Sequence, residues 1–332
     1  MHTFRTEISI PPLPEKINRE HKLLMTGSCF SDQMGARLMD RKIDCISNPL
    51  GNSYNPVSIA KHIVEYGWNN KLIKPVEIQE WQEIFSHADF HGSNNQLSAE
   101  KYIDFLNHKL SGFRRFLSDT HWLIITLGTS WVYTQKSSGF VVNNCHKIPN
   151  VNFDKKLLST HEVLDTLSYC IDESRRVKPD IQFLFTVSPV RHLKDGMISN
   201  SRSKAILLDA VHHLTSKYER VYYFPAYEIM LDDLRDYRFY KEDMIHPNEL
   251  AVKIIWDKFI STCFDHESLE YFMEIEKILI AYRHRPMLSG SNSYLSFCHN
   301  QINAIYKFQE KFGNIPFDKE LQYYQSLPDP ES

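Results

Sequence analysis

An α/β fold with a doubly wound, mostly parallel sheet is the class this sequence predicts, and three observations predict it. Short apolar runs alternate with amphipathic stretches over residues 22–262. Strands that alternate with helices give a parallel sheet covered on both faces. Several helix starts carry caps: Asn55 before Pro56 in "NPVSIA", and Ser159 with Glu162 in "STHE". The chain has 332 residues and is 42% apolar, enough to bury a sizeable core in one large domain with an appendage, or in two domains.

The elements follow in order. Residues 1–20 form an N-terminal edge segment, with "TFRTEISI" as an edge strand before a Pro-rich turn. Buried strands are predicted at 22–26, 43–46, 122–127, 181–187 and 221–224. Helices are predicted near 32–41, 56–66, 98–118, 160–176, 200–218, 226–235 and 248–262. From about residue 265 the alternation stops. "ESLEYFMEIEKILIAYRHRP" and "SFCHNQINAIYKFQEKFG" read as helices with no strand between them. The organisation is therefore a main domain at 21–264 and a helical extension at 265–332 packed on its core. No internal repeat or low-complexity segment is evident.

Composition excludes several classes. Net charge is −3, so no basic field favours nucleic acid or an anionic membrane. No apolar window reaches the ~18 residues a membrane span needs. The opening "MHTFRTEISIPPLPEK" lacks a signal-peptide core, so the expected address is cytoplasmic, with reduced thiols. The six cysteines are scattered without a CxxC pair, which argues against a zinc knuckle. No metal and no cofactor are expected.

The stretch "KLLMTGSCFSDQMGARL" places chemistry at a strand tip. Gly27 allows a sharp turn and a close approach. Ser28 and Cys29 follow, and a helix opens at once with Ser31 or Asp32 as its cap. Unpaired N–H groups at a helix start can hold an oxyanion or lower a thiol's pKa. The same pattern also serves phosphate binding or plain turning. Sites in doubly wound sheets lie at the carboxyl ends of strands, where this stretch falls.

A second constellation sits late, in "YKEDMIHPNELAV". The three-residue spacing from Asp243 to His246 lets the carboxylate reach the ring's Nδ1 and leaves Nε2 for a nucleophile. Pro247 keeps His246 out of helical geometry, and Asn248 caps the next helix. "FSHADFHGS" holds His87 and His91 around Asp89. Its pattern is strand or loop, which favours a substrate-lining role for His87 over a metal. "SPVRH" ends a strand, so Arg191 and His192 face the pocket, where Arg191 suits a carboxylate or phosphate or serves a structural network. "NCHKIP" reads as a hairpin end, and "DDLRDYRFY" as a surface helix bracing the Asp243 loop, with Arg235 and Arg238 paired locally.

"GSCFSDQMG" resembles, without a gap, the first block of the SGNH/GDSL hydrolase superfamily, and "GSCF" resembles the name-giving motif of the GSCFA-domain family within it. The likeness continues through "NPLGNSYNP", "LGTSWVY", "NCHKIP", "SPVRHLKDG", "SKAILL" and "DDLRDYRFYKEDMIHP", covering about 20–262. Gln33 departs from a superfamily glycine, and Ser31 from the alanine of GSCFA. The resemblance implies a three-layer, flavodoxin-like SGNH fold. It sets Cys29 on the nucleophile position and Ser28 on an aspartate position, with Ser28 as nucleophile after a small shift, or neither, as the alternatives. It implies His246 as base and Asp243 as its orienter. It implies oxyanion donors from Gly51 and from the third block, where Gly128 matches but Ser130 replaces the asparagine and Trp131 the aspartate. Asn144 or Asn52 are then candidate substitutes. The implied activity is acyl-ester hydrolysis or O-acyl transfer through an acyl-enzyme, on a small acylated molecule. The rival is a catalytically inactive protein that binds a small molecule or glycan precursor in the same pocket, a reading the missing asparagine favours.

Overall fold

The structure, a computed structural model, describes residues 6–284 and 291–326. Strand β1 (Leu23–Gly27), wholly buried, runs into helix α1 (Cys29–Asp40). Strand β2 (Cys45–Ser47) leads to α2 (Pro56–Lys61), which widens into a π-helical stretch, His62–Trp68. A hairpin of β3 (Gln79–Trp81) and β4 (Ile84–Ser86) precedes the long α3 (Ala99–Asp119). After β5 (Trp122–Leu127) come β6 (Trp131–Gln135), β7 (Val141–Val142) and β8 (Phe153–Leu157). Then follow α4 (Thr160–Val177), β9 (Gln182–Val187), α5 (Gly196–Lys217), β10 (Val221–Tyr223) and the short α6 (Ala226–Glu228). Four helices complete the described chain: α7 (Glu249–Cys263), α8 (His266–Arg283), α9 (Asn292–Phe312) and α10 (Asp318–Gln325).

Five strands form one parallel sheet in the order β10-β9-β5-β1-β2. Alternate side chains feed two cores, because successive strand residues point to opposite faces. Leu23, Met25, Trp122, Ile124 and Leu184 join α1, α7 and the C-terminal helices on one face. Leu24, Leu123, Ile125, Phe183, Phe185 and Val187 join α2, α3, α4 and α5 on the other. The fold is thus doubly wound, with the carboxyl ends of β1, β5 and β9 side by side.

The helix caps are those the sequence indicates. Asn55 accepts from Ser58 N, and Ser159 and Glu162 close a reciprocal capping box. Three expectations change. The cap of α1 is Ser28, whose hydroxyl accepts from Phe30 N at 3.3 Å, in place of Ser31 or Asp32. The helix begins immediately after Gly27 because the turn needs no further residue. The expected N-terminal edge strand is not formed by residues 6–10, and its first residues lie outside the described ones. Three prolines, Pro11, Pro12 and Pro14, interrupt any ladder there. The segment instead docks on α7, with Ile17 N donating to the Cys263 carbonyl at 2.8 Å. Finally, two small antiparallel sheets, β3-β4 and β7-β6-β8, stand beside the main one. Their strands are short and half exposed, so they lack a clean alternating signal.

Among the described residues no helix is long and apolar enough to cross a membrane.

Candidate active site

The site begins at Gly27. Its φ of +134° suits glycine, and a Cβ there would overlap the Thr126 carbonyl of β5. That carbonyl accepts from Ser28 N at 3.0 Å, so β1 ends pressed against β5. Ser31 Oγ donates to Thr126 Oγ1 at 2.7 Å and holds the first turn of α1 over the same strand.

The loop after β2 wraps this turn. Asn48 accepts from Gly27 N at 2.8 Å and donates to Asp32 Oδ1 at 2.8 Å. Ser47 Oγ and Asn52 Nδ2 also donate to the Asp32 carboxylate, at 3.0 and 2.9 Å. Three donors from one loop therefore fix the first turn of α1, and with it Cys29.

Ser28 and Cys29 are held differently. Ser28 is 2% exposed, caps the helix, and donates its hydroxyl proton to Ser188 Oγ at 2.9 Å. Cys29 is half-buried and free of any disulfide. Burial, and next the Asp32 carboxylate, push its thiol above the ordinary value, while its own backbone N–H, and then Lys204 and Lys241, pull it down. This corrects the expectation of a thiol made acidic by the helix start, because desolvation outweighs that pull.

His246 reaches the same place from the other end of the chain. Its ring Nδ1 donates to Asp243 Oδ2 at 2.7 Å, which leaves Nε2 with its lone pair. The other carboxylate oxygen accepts from Ile245 N at 2.8 Å and His246 N at 3.0 Å. These N–H groups and the ring hold the Asp243 carboxyl down at about 2. The loop is closed by Lys241 N donating to the His246 carbonyl at 2.8 Å, and by the Asn248 cap of α7.

Arg191 anchors this loop to the sheet. Its N donates to the Ile245 carbonyl and its Nη1 to the Met244 carbonyl, both at 3.2 Å, and its guanidinium lies 3.9 Å from the Tyr240 ring centre. The structural alternative for Arg191 is thus built from carbonyls and an aromatic ring. Arg235 and Arg238 do pair locally, with Asp232 and Asp236.

Ser28, Cys29, Tyr54, Gly128, Ser188, Arg191, His192 and His246 line one cavity of about 310 Å³. It lies at the carboxyl ends of β1, β5 and β9. Burial lowers the pKa of His192, and its Nδ1 is buried without a partner. Tyr54 and Ser188 stand within "NPLGNSYNP" and "SPVRHLKDG", but nothing in those segments singles them out as cavity-lining.

Besides Asp243, which stands behind His246, five expected site residues do not line this cavity. Ser130 is wholly buried, its N–H donating to Ser203 Oγ at 2.7 Å and its hydroxyl to the Ser203 carbonyl at 3.2 Å. Gly51 lies against His91, its N–H donating to Asn48 O at 2.8 Å. Asn144 accepts from His146 N at 2.8 Å in the loop after β7. His87 lines a separate cavity of about 540 Å³ with Lys61, Asp89 and Phe140. Burial pushes it to about 4, so the ring is neutral at pH 7. Asn52 also serves elsewhere, on Asp32. The departure in the third block accounts for Ser130: a short hydroxyl there packs onto α5.

The family model described as "GSCFA family" matches residues 22–259, and the one described as "GSCFA domain protein, C-terminal domain" matches residues 275–327. No curated protein matches the chain. Among solved structures, it is similar to a family 3 carbohydrate esterase of Clostridium thermocellum, at 12% identity over 78% of this chain and 98% of that one, with a TM-score of 0.34. It is also similar to a carbohydrate esterase family 3 protein from Talaromyces cellulolyticus, at 6% identity over 77% and 99%, with a TM-score of 0.38. An acetyl xylan esterase from Butyrivibrio proteoclasticus shares 10% identity over 77% and 66%, with a TM-score of 0.35.

Proposed function

The chain belongs to the GSCFA family, and on that premise we propose that it is an acyl-ester hydrolase or O-acyltransferase working through an acyl-enzyme on Cys29. The observation that carries this reading is the division of labour at the strand tip. Ser28 is spent as a helix cap and as a donor to Ser188, whereas Cys29 shares a cavity with a histidine already oriented by a carboxylate.

In the proposed first step His246 Nε2 takes the thiol proton as Cys29 Sγ attacks the ester carbonyl carbon. The carbonyl electrons move onto oxygen, where the N–H of Cys29 at the opening of α1 stabilises them. The carbon–oxygen ester bond then breaks, and the alkoxide leaves with the proton from His246. Water or an acceptor alcohol attacks the thioester, again with His246 as base, and the thiolate recovers its proton. Asp243 stays ionised and holds the imidazole in the tautomer that makes Nε2 the base. A cavity of about 310 Å³ suits a small acylated molecule.

The rival reading, a binding protein without turnover, draws on one observation: no asparagine or glutamine lines the cavity. Turnover of p-nitrophenyl acetate, with mass mapping of the trapped acetyl group, separates the two. The expected result is an acetyl group on Cys29, loss of turnover in Cys29→Ala, and a fall of about 10²–10⁴-fold in His246→Ala. Absence of turnover by the wild type, or activity that survives Cys29→Ala, would overturn the proposal.

A further inference from the structure

Helix α5 carries a charged side chain that the mechanism above leaves unused. Lys204, within "SKAILL", is 1% exposed. Its Nζ donates to the Ser188 carbonyl at 2.7 Å. Among the described residues no carboxylate pairs with it, and the charge that opposes the effect of burial on it is that of Cys29. An ammonium buried without an acid is costly, and burial brings Lys204 down to about 7. A side chain that only filled space would dispense with the charge.

Two links tie this lysine to the strand tip. Ser188 takes Lys204 on its carbonyl and Ser28 on its hydroxyl, so one residue joins α5 to the turn that carries Cys29. The lysine's charge also acts directly on the thiol, and the thiol's on the lysine. We propose that Lys204 is a positioning residue for the chemistry at Cys29: its ammonium, anchored on the Ser188 carbonyl, is the buried counter-charge that stabilises the Cys29 thiolate.

The groups around the thiol make such a charge necessary. Asp32 on α1 opposes the thiolate, while Lys241 and His246 in the late loop, with Arg191 and His192 after β9, lie on its other sides. Lys241 is exposed and its field is screened, whereas Lys204 is buried and its field is screened less. Tyr54 also faces Cys29, and its hydroxyl pKa is raised by burial and then by that thiol. Lys204 itself meets the Tyr227 ring at 5.8 Å and acts on His192. The proton balance is unchanged: His246 takes the thiol proton, and Lys204, charged up to about pH 7, transfers none.

The inference rests on the acyl-enzyme reading only for the use made of the thiolate, so its test does not need a substrate. Iodoacetamide alkylation of Cys29, mapped by peptide and followed from pH 5.5 to 10, reads thiolate directly. In Lys204→Met the rate at pH 5.5–7, where Lys204 carries its proton, is expected to fall about tenfold, with the wild-type rate regained at high pH. Lys204→Arg, which keeps the cation, should hold the rate in that range at or above that of the wild type. An unchanged rate below pH 7 in Lys204→Met overturns the inference and leaves the acyl-enzyme reading standing. A lowered rate there without ester turnover does the reverse. No labelling of Cys29 at any pH sinks both.

Should Lys204→Met fail to fold, Lys204→Arg carries the test. A guanidinium stays charged above about pH 7, where Lys204 loses its proton. The alkylation rate of Cys29 at pH 8–9 is then expected to exceed that of the wild type several-fold. A rate equal to the wild type's would overturn the proposal.

Discussion

Ser28 and Cys29 are neighbours in the chain but not in their surroundings. The serine's lone pair and proton are both engaged, by Phe30 N and Ser188 Oγ, whereas the thiol is half-buried at the cavity wall. Across the cavity, three hydrogen bonds hold the Asp243 carboxylate. With its pKa depressed to about 2, this group adds stability above the ordinary carboxylate value and loses it as pH falls through about 2. Any acid limb of activity between pH 4 and 7 therefore does not belong to Asp243. Asp243→Asn is expected to lower kcat by on the order of 10²–10⁴, as a wrongly held imidazole tautomer does. Steady-state kinetics of the variant check this; an undiminished kcat would contradict the assignment of Asp243 as orienter. At this scale the sequence was legible where spacing alone determines geometry. Asp243 and His246 are three apart and meet within one loop. Ser130, Gly51 and Asn144 were not legible, because nothing local tells which way a loop residue faces. Lys204 was opaque for the same reason: a lysine in a helix reads as surface until its neighbours are known.

The loop from 241 to 246 depends on the strand-end segment after β9. Arg191 gives two hydrogen bonds to its carbonyls and lies over Tyr240. Arg191→Met keeps the stem but removes the side-chain hydrogen bond and the cation–π contact. It is expected to reduce kcat about tenfold while thermal stability shifts by no more than about 1 kcal/mol, since the group is a partly exposed one. Steady-state kinetics beside a melting curve tests this; equal loss in both would make Arg191 merely structural. Elements of the main sheet were readable because their runs are continuous, buried and broken by no charged residue, as in "LLMTG" of β1 and "WLIITL" of β5. The strands β6 to β8 were not. "WVYTQ" and "FDKKL" face solvent on one side and break the alternation with polar residues on the other. The N-terminal strand failed differently, since its propensity is good but prolines deny it a partner.

Helices α8 to α10 share one apolar core with β1, α1 and α7. Tyr271, Phe272, Ile275 and Ile305 pack among Met25, Phe30, Met34, Leu38 and Phe259. At the far end of α1, Tyr271 donates to the Arg41 carbonyl at 2.8 Å. The Arg41 guanidinium pairs with Glu276 and lies 4.9 Å from the Trp256 ring centre. Removing residues 265–332 would strip this face and leave Arg41 buried without its acid. Such a truncation is expected to give insoluble or molten protein, judged by circular dichroism and exchange of β1 amides. A soluble, cooperatively folded product would show that the main domain stands alone. The helical character of the extension was legible from its period. That it packs on the main domain was expected; which elements it covers was not legible, because a sequence shows an apolar face but not what covers it.

The grip on Arg41 reaches Cys29 through a single rigid rod, since the two residues stand at opposite ends of α1. A segment synthesised long after α1 thus clamps the element that bears the thiol, and the imidazole arrives after α1 as well. A ribosome-bound nascent chain would hold an unfinished centre, and its chemistry would switch on only once the closing helices emerge and dock.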